Sequence, residues 1–268
     1  MSELDLLSIG GLFLVSVVAG CCDAIAGGGG LLTVPALMLA GLNPVAAIAT
    51  NKLQGSAGTV SATLAFARKG LIDWRIALPI GGSAFIAGIL GALSVNLLPK
   101  PFVSGVVPFI LIGIALYFAL APKMTNADAK ARISIGMFAL TVAPLIGFYD
   151  GIFGPGGGSF YMAAFVSLLG FGVVRATAHT KMANAASNLG GLLLFASAGS
   201  IYWAVGFVMA IGAFTGAQIG SILAIRIGVR LIRPLLVTIS CLMAIRLLFA
   251  PTNPVGGFLA RSVSTILN

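Results

Sequence analysis

Asp23-Ala-Ile-Ala-Gly27-Gly28-Gly29-Gly30 is the first copy of a motif that occurs twice in this chain. After an apolar segment, it is followed by Thr50-Asn51-Lys52. The second occurrence reads Asp150-Gly-Ile-Phe-Gly154-Pro-Gly156-Gly157-Gly158 and is followed by His179-Thr180-Lys181. The aspartates lie 127 positions apart and the lysines 129. A glycine-rich break and an isolated charge that recur inside apolar sequence predict a duplicated protein whose two copies build one polar site.

The composition of the 268 residues is that of a membrane protein. The chain is 59% hydrophobic and only 8% charged, with a mean hydropathy of +1.11. Soluble domains are about 45–50% apolar and about 25% charged, so this chain has too few charges to cover a surface that faces water. Membrane lipid is therefore an expected partner. The 36 glycines fit this environment, because small residues let membrane helices approach closely. We predict an all-α polytopic membrane protein.

Ten apolar runs can be traced along the chain, and they predict eight to ten transmembrane segments. The third, seventh and eighth runs are shorter than the roughly 20 residues that span a bilayer. They are therefore predicted to be half-helices or re-entrant segments, covered by other parts of the protein. The runs cover residues 4–22, 31–49, 53–67, 76–98, 101–121, 133–149, 159–174, 182–198, 203–225 and 234–250.

The distribution of lysine and arginine predicts the orientation. With ten spans and an extracytoplasmic N-terminus, most basic residues fall in inner loops, which is the bias of a multi-pass protein of the cell inner membrane. The inner group is Arg68, Lys69, Arg75, Lys123, Lys130, Arg132, Arg175, Arg226, Arg230 and Arg233. The outer group is Lys100, Arg246 and Arg261.

Five segments in each copy, an odd number, place the second copy upside down in the membrane. The loops agree with this, because the basic Arg68-Lys69-Gly70 matches the uncharged Ser197-Ala198-Gly199. We predict two inverted repeats, which are a common plan of secondary transporters. Together they form one integral membrane domain, with repeats at 1–121 and 133–250, a cytoplasmic linker at 122–132 and a short tail at 251–268.

Each glycine run is predicted to break a helix and to begin a new one, because glycine is unfavourable in helix interiors. Free N–H groups and the positive end of the helix dipole favour an anion at such a helix start. A role in tight packing or in a bend alone stays open. The predicted substrate-binding glycines are Gly28, Gly29, Gly30, Gly156, Gly157 and Gly158.

Lys52 and Lys181, each placed between apolar runs, are predicted to face the pocket, because a charge within the membrane usually faces a cavity or a partner. Snorkelling to the headgroups and ion pairing with Asp23 or Asp150 stay open as alternatives. Four neutral amides complete the predicted substrate site, and the last two share a helical face with Lys181: Asn51, Gln54, Asn184 and Asn188.

Asp23 and Asp150 are the only acids inside apolar sequence, and three roles are open for them. They pair with the lysines, accept N–H groups of the glycine turns, or bind a proton during transport. His179, the only histidine, is a candidate for proton coupling, with capping or packing as the alternative.

Other function classes lack their motifs. One histidine, no HExxH spacing and no nucleophile elbow argue against an enzyme, and we predict no metal and no cofactor. The basic residues lie at the ends of apolar segments rather than in a patch with aromatic residues, which argues against nucleic acid in spite of the net charge of +9. Cation transport is disfavoured, because only two acids lie within the spans and each has a lysine nearby.

The first motif, which continues as Leu31-Leu-Thr-Val-Pro35 and Asn51-Lys52-Leu-Gln54, resembles the first signature of the TauE/SafE family of sulfite exporters. The second motif, with His179-Thr-Lys181 and Ser187-Asn188, is similar to the second half of that family. The resemblance covers nearly the whole chain. It implies a prokaryotic-type plasma-membrane permease for sulfite, organosulfonates or similar anions.

These observations predict a secondary transporter that moves a small sulfur-containing anion by alternating access, driven by a proton or ion gradient. The alternatives are a passive anion channel and a non-transporting membrane scaffold subunit. The sequence makes no prediction of the particular anion, the direction of transport or the oligomeric state.

Overall fold

The computed structural model describes residues 6–96 and 125–228, together with single positions at 116 and between 234 and 245. Within this part of the chain there are eight α-helices and no strand. A 3₁₀ turn follows the fourth helix, and the fifth contains a π-helical turn at Phe138–Val142. The helices are α1 (Leu6–Ala26), α2 (Gly30–Leu39), α3 (Pro44–Arg68), α4 (Trp74–Leu93), α5 (Ile135–Ile152), α6 (Gly157–Ser167), α7 (Val173–Ser197) and α8 (Trp203–Ile227).

The pattern of long and short helices repeats along the chain, as the sequence motif does. Helices α3 and α7 are both 25 residues long and begin 129 positions apart, which is the spacing of the two motif lysines. Helices α4 and α8 begin at Trp74 and Trp203, again 129 positions apart. Within the described residues, each half therefore contains a long helix, a short helix of 10 or 11 residues and two further long helices.

The helix boundaries differ from the predicted runs at two turns. The run 31–49 is interrupted after α2, where Gly41 has a φ of +96° and the Asn43 side chain caps α3 by accepting the Ala46 N–H at 3.0 Å. The run 159–174 is interrupted between α6 and α7, where Gly170 has a φ of +68°. The half-helix prediction for the third and eighth runs was wrong, because each continues a polar stretch into one 25-residue helix. The motif lysines consequently lie inside long helices and not between runs.

Four of the described helices, α1, α4, α5 and α8, are long and apolar enough to cross a membrane. Large apolar side chains such as Leu140 and Leu145 of α5 point outward from the bundle. The central helices α3 and α7 are less apolar because they carry the buried polar residues of both motifs. The predicted spans at 101–121 and 234–250 lie outside the described residues, apart from single positions. The prediction of a helical membrane protein is confirmed.

The two halves pack into each other in a symmetric pattern. Helix α1 packs on α8 as α5 packs on α4, and α3 packs on α8 as α7 packs on α4, while α3 and α7 contact each other at the centre. Matching glycines make the close approaches, because Gly20 of α1 meets the backbone of Ala213 and Gly147 of α5 meets that of Ala84. Small residues at such contacts are the usual means by which membrane helices pack closely.

The central helices α3 and α7 run antiparallel. Near the start of α7, His179 Nε2 accepts the N–H of Asp73, which lies just beyond the end of α3, at 3.2 Å. Near the start of α3, the Thr50 hydroxyl accepts the N–H of Tyr202, which follows the end of α7, at 3.1 Å. The start of each central helix therefore lies beside the turn that follows the end of the other central helix.

One end of the bundle gathers loops that the charge distribution assigns to the inner side. Arg175, at the start of α7, forms an ion pair with Asp128 of the predicted linker, and Asp128 also accepts the Gly172 N–H at 2.7 Å. Partial burial raises the pKa of Asp128, but the Gly172 N–H and the Arg175 guanidinium outweigh it and hold the pKa below its usual value. Because His179 joins the start of α7 to the turn after α3, the basic stretch 68–75 lies at this end as well.

The substitution Gly147→Ala should destabilise the protein. A Cβ at this position would lie 2.7 Å from the backbone oxygen of Ala84, so α4 and α5 would have to separate. We expect a loss of about 1–3 kcal/mol, the usual effect of overpacking, measured as a lower melting temperature of the detergent-purified protein.

The matched control is Gly82→Ala on α4, where a Cβ would meet no atom within 4 Å. This change should leave the melting temperature unchanged or raise it, since alanine is a better helix former than glycine by about 1 kcal/mol. Equal losses in both variants would contradict the close contact of α4 with α5.

Candidate functional site

The two glycine-rich breaks lie against each other in the middle of the bundle. A Cβ on Gly27 would lie 2.5 Å from the carbonyl carbon of Gly158, so the two backbones touch. The Ser159 hydroxyl also donates to the Gly27 carbonyl at 3.1 Å. Gly27 and Gly156 have φ values of +76° and +86°, a left-handed conformation that glycine adopts without strain. The two copies of the motif therefore meet at a single site in the structure.

The first break ends in a helix start that is capped by an acid. The Asp23 Oδ1 accepts the N–H groups of Gly28 and Gly29 at 2.9 and 3.0 Å, just before α2 begins at Gly30. A carboxylate at this position satisfies free N–H groups and opposes the positive end of the helix dipole.

The second break is built differently, although its sequence is similar. Asp150 accepts the Ser187 hydroxyl at 2.7 Å, and the Gly157 N–H donates to the carbonyl of Gly154 at 3.1 Å. Tyr149 supports this turn by donating its hydroxyl to the Pro155 carbonyl at 2.8 Å. The two aspartates of the repeat consequently have different partners.

Two ion pairs cross between the halves. Lys52 of the first half lies 3.1 Å from the Asp150 carboxylate, and Lys181 of the second half lies 3.4 Å from that of Asp23. Each lysine also donates to the backbone carbonyl of the same aspartate. Both lysine side chains are fully buried, so an acid partner is needed to offset the cost of removing an ammonium from water. Of the roles left open by the sequence, the structure shows ion pairing for all four residues.

The two pairs differ in their access to solvent. The Asp150 side chain is 1% exposed, whereas that of Asp23 is 14% exposed and lines a cavity. The first pair is therefore sealed within the protein, whereas Asp23 of the second pair contributes to the cavity wall.

Polar side chains of the first half form a closed hydrogen-bond network beside this cavity. The Asn51 Oδ1 accepts the Thr33 hydroxyl at 2.6 Å and the Gln54 amide at 2.7 Å. Gln54 also donates to the Thr33 hydroxyl at 3.0 Å. Because its oxygen is occupied in this way, the Asn51 side chain is fixed with its Nδ2 on the side of Gly30 and Gly154.

The two asparagines of α7 are held by each other and by the first half. Asn188 Nδ2 donates to the backbone and side-chain oxygens of Asn184 at 2.8 and 3.1 Å, while its Oδ1 accepts from Lys52 at 3.1 Å. The predicted common face of Asn184 and Asn188 is present, but the lysine that contacts it is Lys52 and not Lys181.

A small cavity, open on one side, lies at the contact between the two breaks. Eight of the twelve predicted substrate-binding residues line it: Gly28, Gly29, Gly30, Asn51, Gln54, Gly158, Asn184 and Asn188. The other four, Lys52, Gly156, Gly157 and Lys181, do not line the cavity. Helices from both halves form its walls, so neither half alone would build it.

Sequence reasoning missed several residues of the cavity wall. Gly55 and Thr59 occupy the repeat positions of Asn184 and Asn188, so the 129-residue offset was the signal that could have found them. The remaining wall residues are small, carry no local signal and become neighbours only through helix packing: Ala19, Gly20, Gly58, Gly154 and Ala213.

His179 lies away from the cavity, at the end of the bundle. Its Nε2 accepts the Asp73 N–H, its Nδ1 lies 2.9 Å from the Arg175 carbonyl, and its ring packs between those of Phe165 and Phe171. The geometry is that of a capping and packing residue, and Thr50 makes the equivalent contact in the first half.

Comparison with known proteins agrees with the motif resemblance. A family model described as "Sulfite exporter TauE/SafE" matches residues 12–247. A probable membrane transporter protein of Sinorhizobium is 47% identical over 254 residues, which is 95% of this chain and 97% of that protein. Similar probable membrane transporters of Escherichia coli and Haemophilus influenzae are 46% and 43% identical, and each alignment covers at least 90% of both chains. No solved structure matches the chain. These names indicate a transporter and not an enzyme.

Breaking the sealed ion pair between Lys52 and Asp150 should strongly lower the stability of the protein. Lys52→Met leaves the Asp150 carboxylate buried without a cation, for which we expect a loss of about 3–5 kcal/mol in unfolding free energy. The double variant Lys52→Met/Asp150→Asn should recover most of this loss, because no charge then stays buried. Thermal unfolding of the wild type, the single variants Lys52→Met and Asp150→Asn and the double variant measures both effects.

The exposed pair between Arg175 and Asp128 supplies the control. Arg175→Met should cost only about 0–1 kcal/mol, because water already solvates both groups. If the losses of Lys52→Met and Asp150→Asn add up in the double variant, the two side chains do not interact as described.

The capping contact of His179 can be tested with a pair of substitutions. His179→Phe keeps the ring but has no acceptor for the Asp73 N–H, so we expect a loss of about 0.5–1.5 kcal/mol, the net value of one hydrogen bond. His179→Gln keeps an acceptor and should lose less. Equal melting temperatures of the two variants would contradict the capping role.

Proposed function

The chain belongs to the TauE/SafE family of membrane transporters, and we propose that it moves a small sulfur-containing anion across the cell inner membrane by alternating access. The observation that carries this proposal is the cavity between the two glycine-rich breaks, where neutral amide donors from both halves converge. Sulfite, the substrate named in the description of the family, is an oxyanion of the kind that such donors recognise.

The donors in the cavity wall favour an oxyanion. Asn51 and Asn184 are both at least nine-tenths buried, and among the described residues their Nδ2 groups have no hydrogen-bond acceptor. Their oxygens are occupied by Gln54 and Asn188, so the amides cannot turn to offer an acceptor without breaking these bonds. Both residues line the cavity, so the oxygen atoms of an anion bound there would supply acceptors for these N–H groups.

Lys52 and Lys181 place positive charge close to the amide donors but do not line the cavity. Lys52 bonds to Asn188 Oδ1 and approaches Gly154, while Lys181 is paired with Asp23 in the wall. A small oxyanion would thus bind through neutral hydrogen bonds, with the lysines one layer away. Such an arrangement favours binding that is specific and still reversible, which a transporter requires.

The packing supports an inverted repeat and alternating access. Equivalent helices α3 and α7 are antiparallel and contact each other, so the axis that relates the two halves is perpendicular to them. If these helices run across the bilayer, that axis lies in the membrane plane, with the cavity at the repeat interface. We place the repeats at 1–121 and 133–250, and the basic end of the bundle with its linker in the cytoplasm, which puts the N-terminus outside.

Binding can be tested by the thermal stability of the purified protein with sulfite, sulfate, thiosulfate, sulfoacetate and taurine. A ligand that binds only the folded state stabilises it by about 2.7 kcal/mol at a hundred times its Kd. We expect at least one of the anions to raise the melting temperature. No shift with any of them would contradict an anion site and favour a scaffold role.

The site is tested by Asn184→Asp, which keeps the shape of the side chain but replaces the donor by a carboxylate. Loss of a hydrogen bond to a charged ligand costs about 1.5–3 kcal/mol, so we expect affinity to fall at least about tenfold. Asn126→Asp makes the same change on the exposed segment between α4 and α5 and should not alter the affinity. Equal affinities of the wild type and Asn184→Asp would place the anion elsewhere.

Transport in proteoliposomes separates a transporter from a passive channel. A transporter accumulates the anion against its gradient when an ion gradient is imposed, whereas a channel only dissipates the gradient. Accumulation is the expected result, and dissipation alone would favour the channel.

A further inference from the structure

The two crossed ion pairs share one design but differ in one respect, since the carboxylate of Asp150 is sealed and that of Asp23 lines the cavity. We propose that Asp23 is a proton site coupled to the anion site, so that one proton binds the protein together with one anion. The inference rests on the proposed function, because it assigns the coupling ion and its residue to the same cavity.

The carboxylate of Asp23 occupies the groups that an anion in this cavity would use. Its Oδ1 accepts the N–H groups of Gly28 and Gly29, and its Oδ2 lies 3.4 Å from Lys181. While Asp23 is ionised, a second negative charge in the cavity would be repelled by it and would find these donors taken. A bound anion and an ionised Asp23 therefore compete.

Protonation of Asp23 removes this competition. A neutral carboxyl group holds the glycine N–H groups and Lys181 less strongly, because hydrogen bonds to charged groups are about twice as strong as neutral ones. Lys181 is then a buried cation without a balancing charge, and an anion in the adjacent cavity supplies that charge. The proton and the anion thus favour each other.

The unpaired amides give an independent indication that a ligand with acceptor atoms belongs here. Asn51 Nδ2 and Asn184 Nδ2 come from opposite halves, line the same cavity as Asp23, and have no acceptor among the described residues. Their position does not depend on the charge of Asp23. They would hold the anion while Asp23 takes up the proton.

Few other ionisable groups face Asp23. Lys181 on α7 is its partner, Cys22 precedes it on α1, and Asp150 on α5 is close enough to interact electrostatically but is paired with Lys52 of α3. Helix α2 carries no ionisable side chain. The remaining ionisable groups of the packed helices α6 and α8 are Tyr161, bonded to the Ala143 carbonyl, and Arg226, in the last turn of α8.

The charge balance of the step is simple. The carboxylate of Asp23 gains one proton from the side where the anion enters, and the cavity gains one monovalent anion. The loaded site therefore carries the same net charge as the empty one. Release on the other side of the membrane frees both the proton and the anion, so transport of a monovalent anion moves no net charge across the membrane.

The test is calorimetric titration of the full-length protein with methanesulfonate and with sulfate, neither of which has a proton to lose near neutral pH. Runs in two buffers with different heats of ionisation count the protons taken up on binding. We expect about one proton per anion for the wild type, and therefore an affinity that falls as the pH rises, because a proton binds together with each anion. Asp23→Asn, a mimic of the neutral acid, should bind with no proton uptake and no such pH dependence.

Asp150→Asn makes the same chemical change in the sealed pair. It should lower the melting temperature but still take up a proton with each anion bound. Anion binding by the wild type without proton uptake, or proton uptake that persists in Asp23→Asn, would overturn the inference and leave the proposed function standing. If neither probe binds and sulfite gives no thermal shift, the proposed function fails as well. If Asp23→Asn does not fold, anion binding by the wild type without proton uptake still overturns the inference.

Discussion

An ammonium group in the interior of a membrane protein needs partners that offset the cost of removing it from water, and this chain buries two such groups. Each motif lysine reaches across to the aspartate of the other half, so the two pairs bind the halves together. Each lysine also bonds to the backbone carbonyl of the same aspartate, which lies in the last turns of α1 or α5, where the helix ends. The glycines that follow then allow the two breaks to touch and to leave a cavity between them.

The duplication explains why the site is symmetric, and the departures from symmetry explain how it could work. Asp23 caps a helix start and faces the cavity, while Asp150 is held by Ser187 behind the wall. Gly55 and Thr59 in one half stand where the other half has Asn184 and Asn188. The two copies thus contribute different groups to the cavity wall, since the first places an acid there and the second adds two asparagines. This division is what the proposed coupling of proton and anion requires.

Much of this arrangement could be predicted from the sequence, because composition and repetition are strong signals in a membrane protein. The helical membrane class, the family and the convergence of Asn51, Asn184 and the glycines at one cavity were within reach of that reasoning. The pairing of Lys52 with Asp150 was only one of several open roles, since sequence spacing does not show which side chains meet between distant helices. The helix bounds around Gly41 and Asn43 were misjudged because an apolar run continues through the turn, and the cap chemistry outweighed hydrophobicity there.

The central claim is that a small oxyanion binds between the two glycine-rich breaks, held by amides of both halves. The most direct measurement is an anomalous-scattering map of crystals grown with selenate, a heavier analogue of sulfate. A selenium peak within hydrogen-bond distance of Asn51 Nδ2 and Asn184 Nδ2 is the predicted result. A peak at another place in the bundle, with this cavity empty, would contradict anion binding between the two breaks.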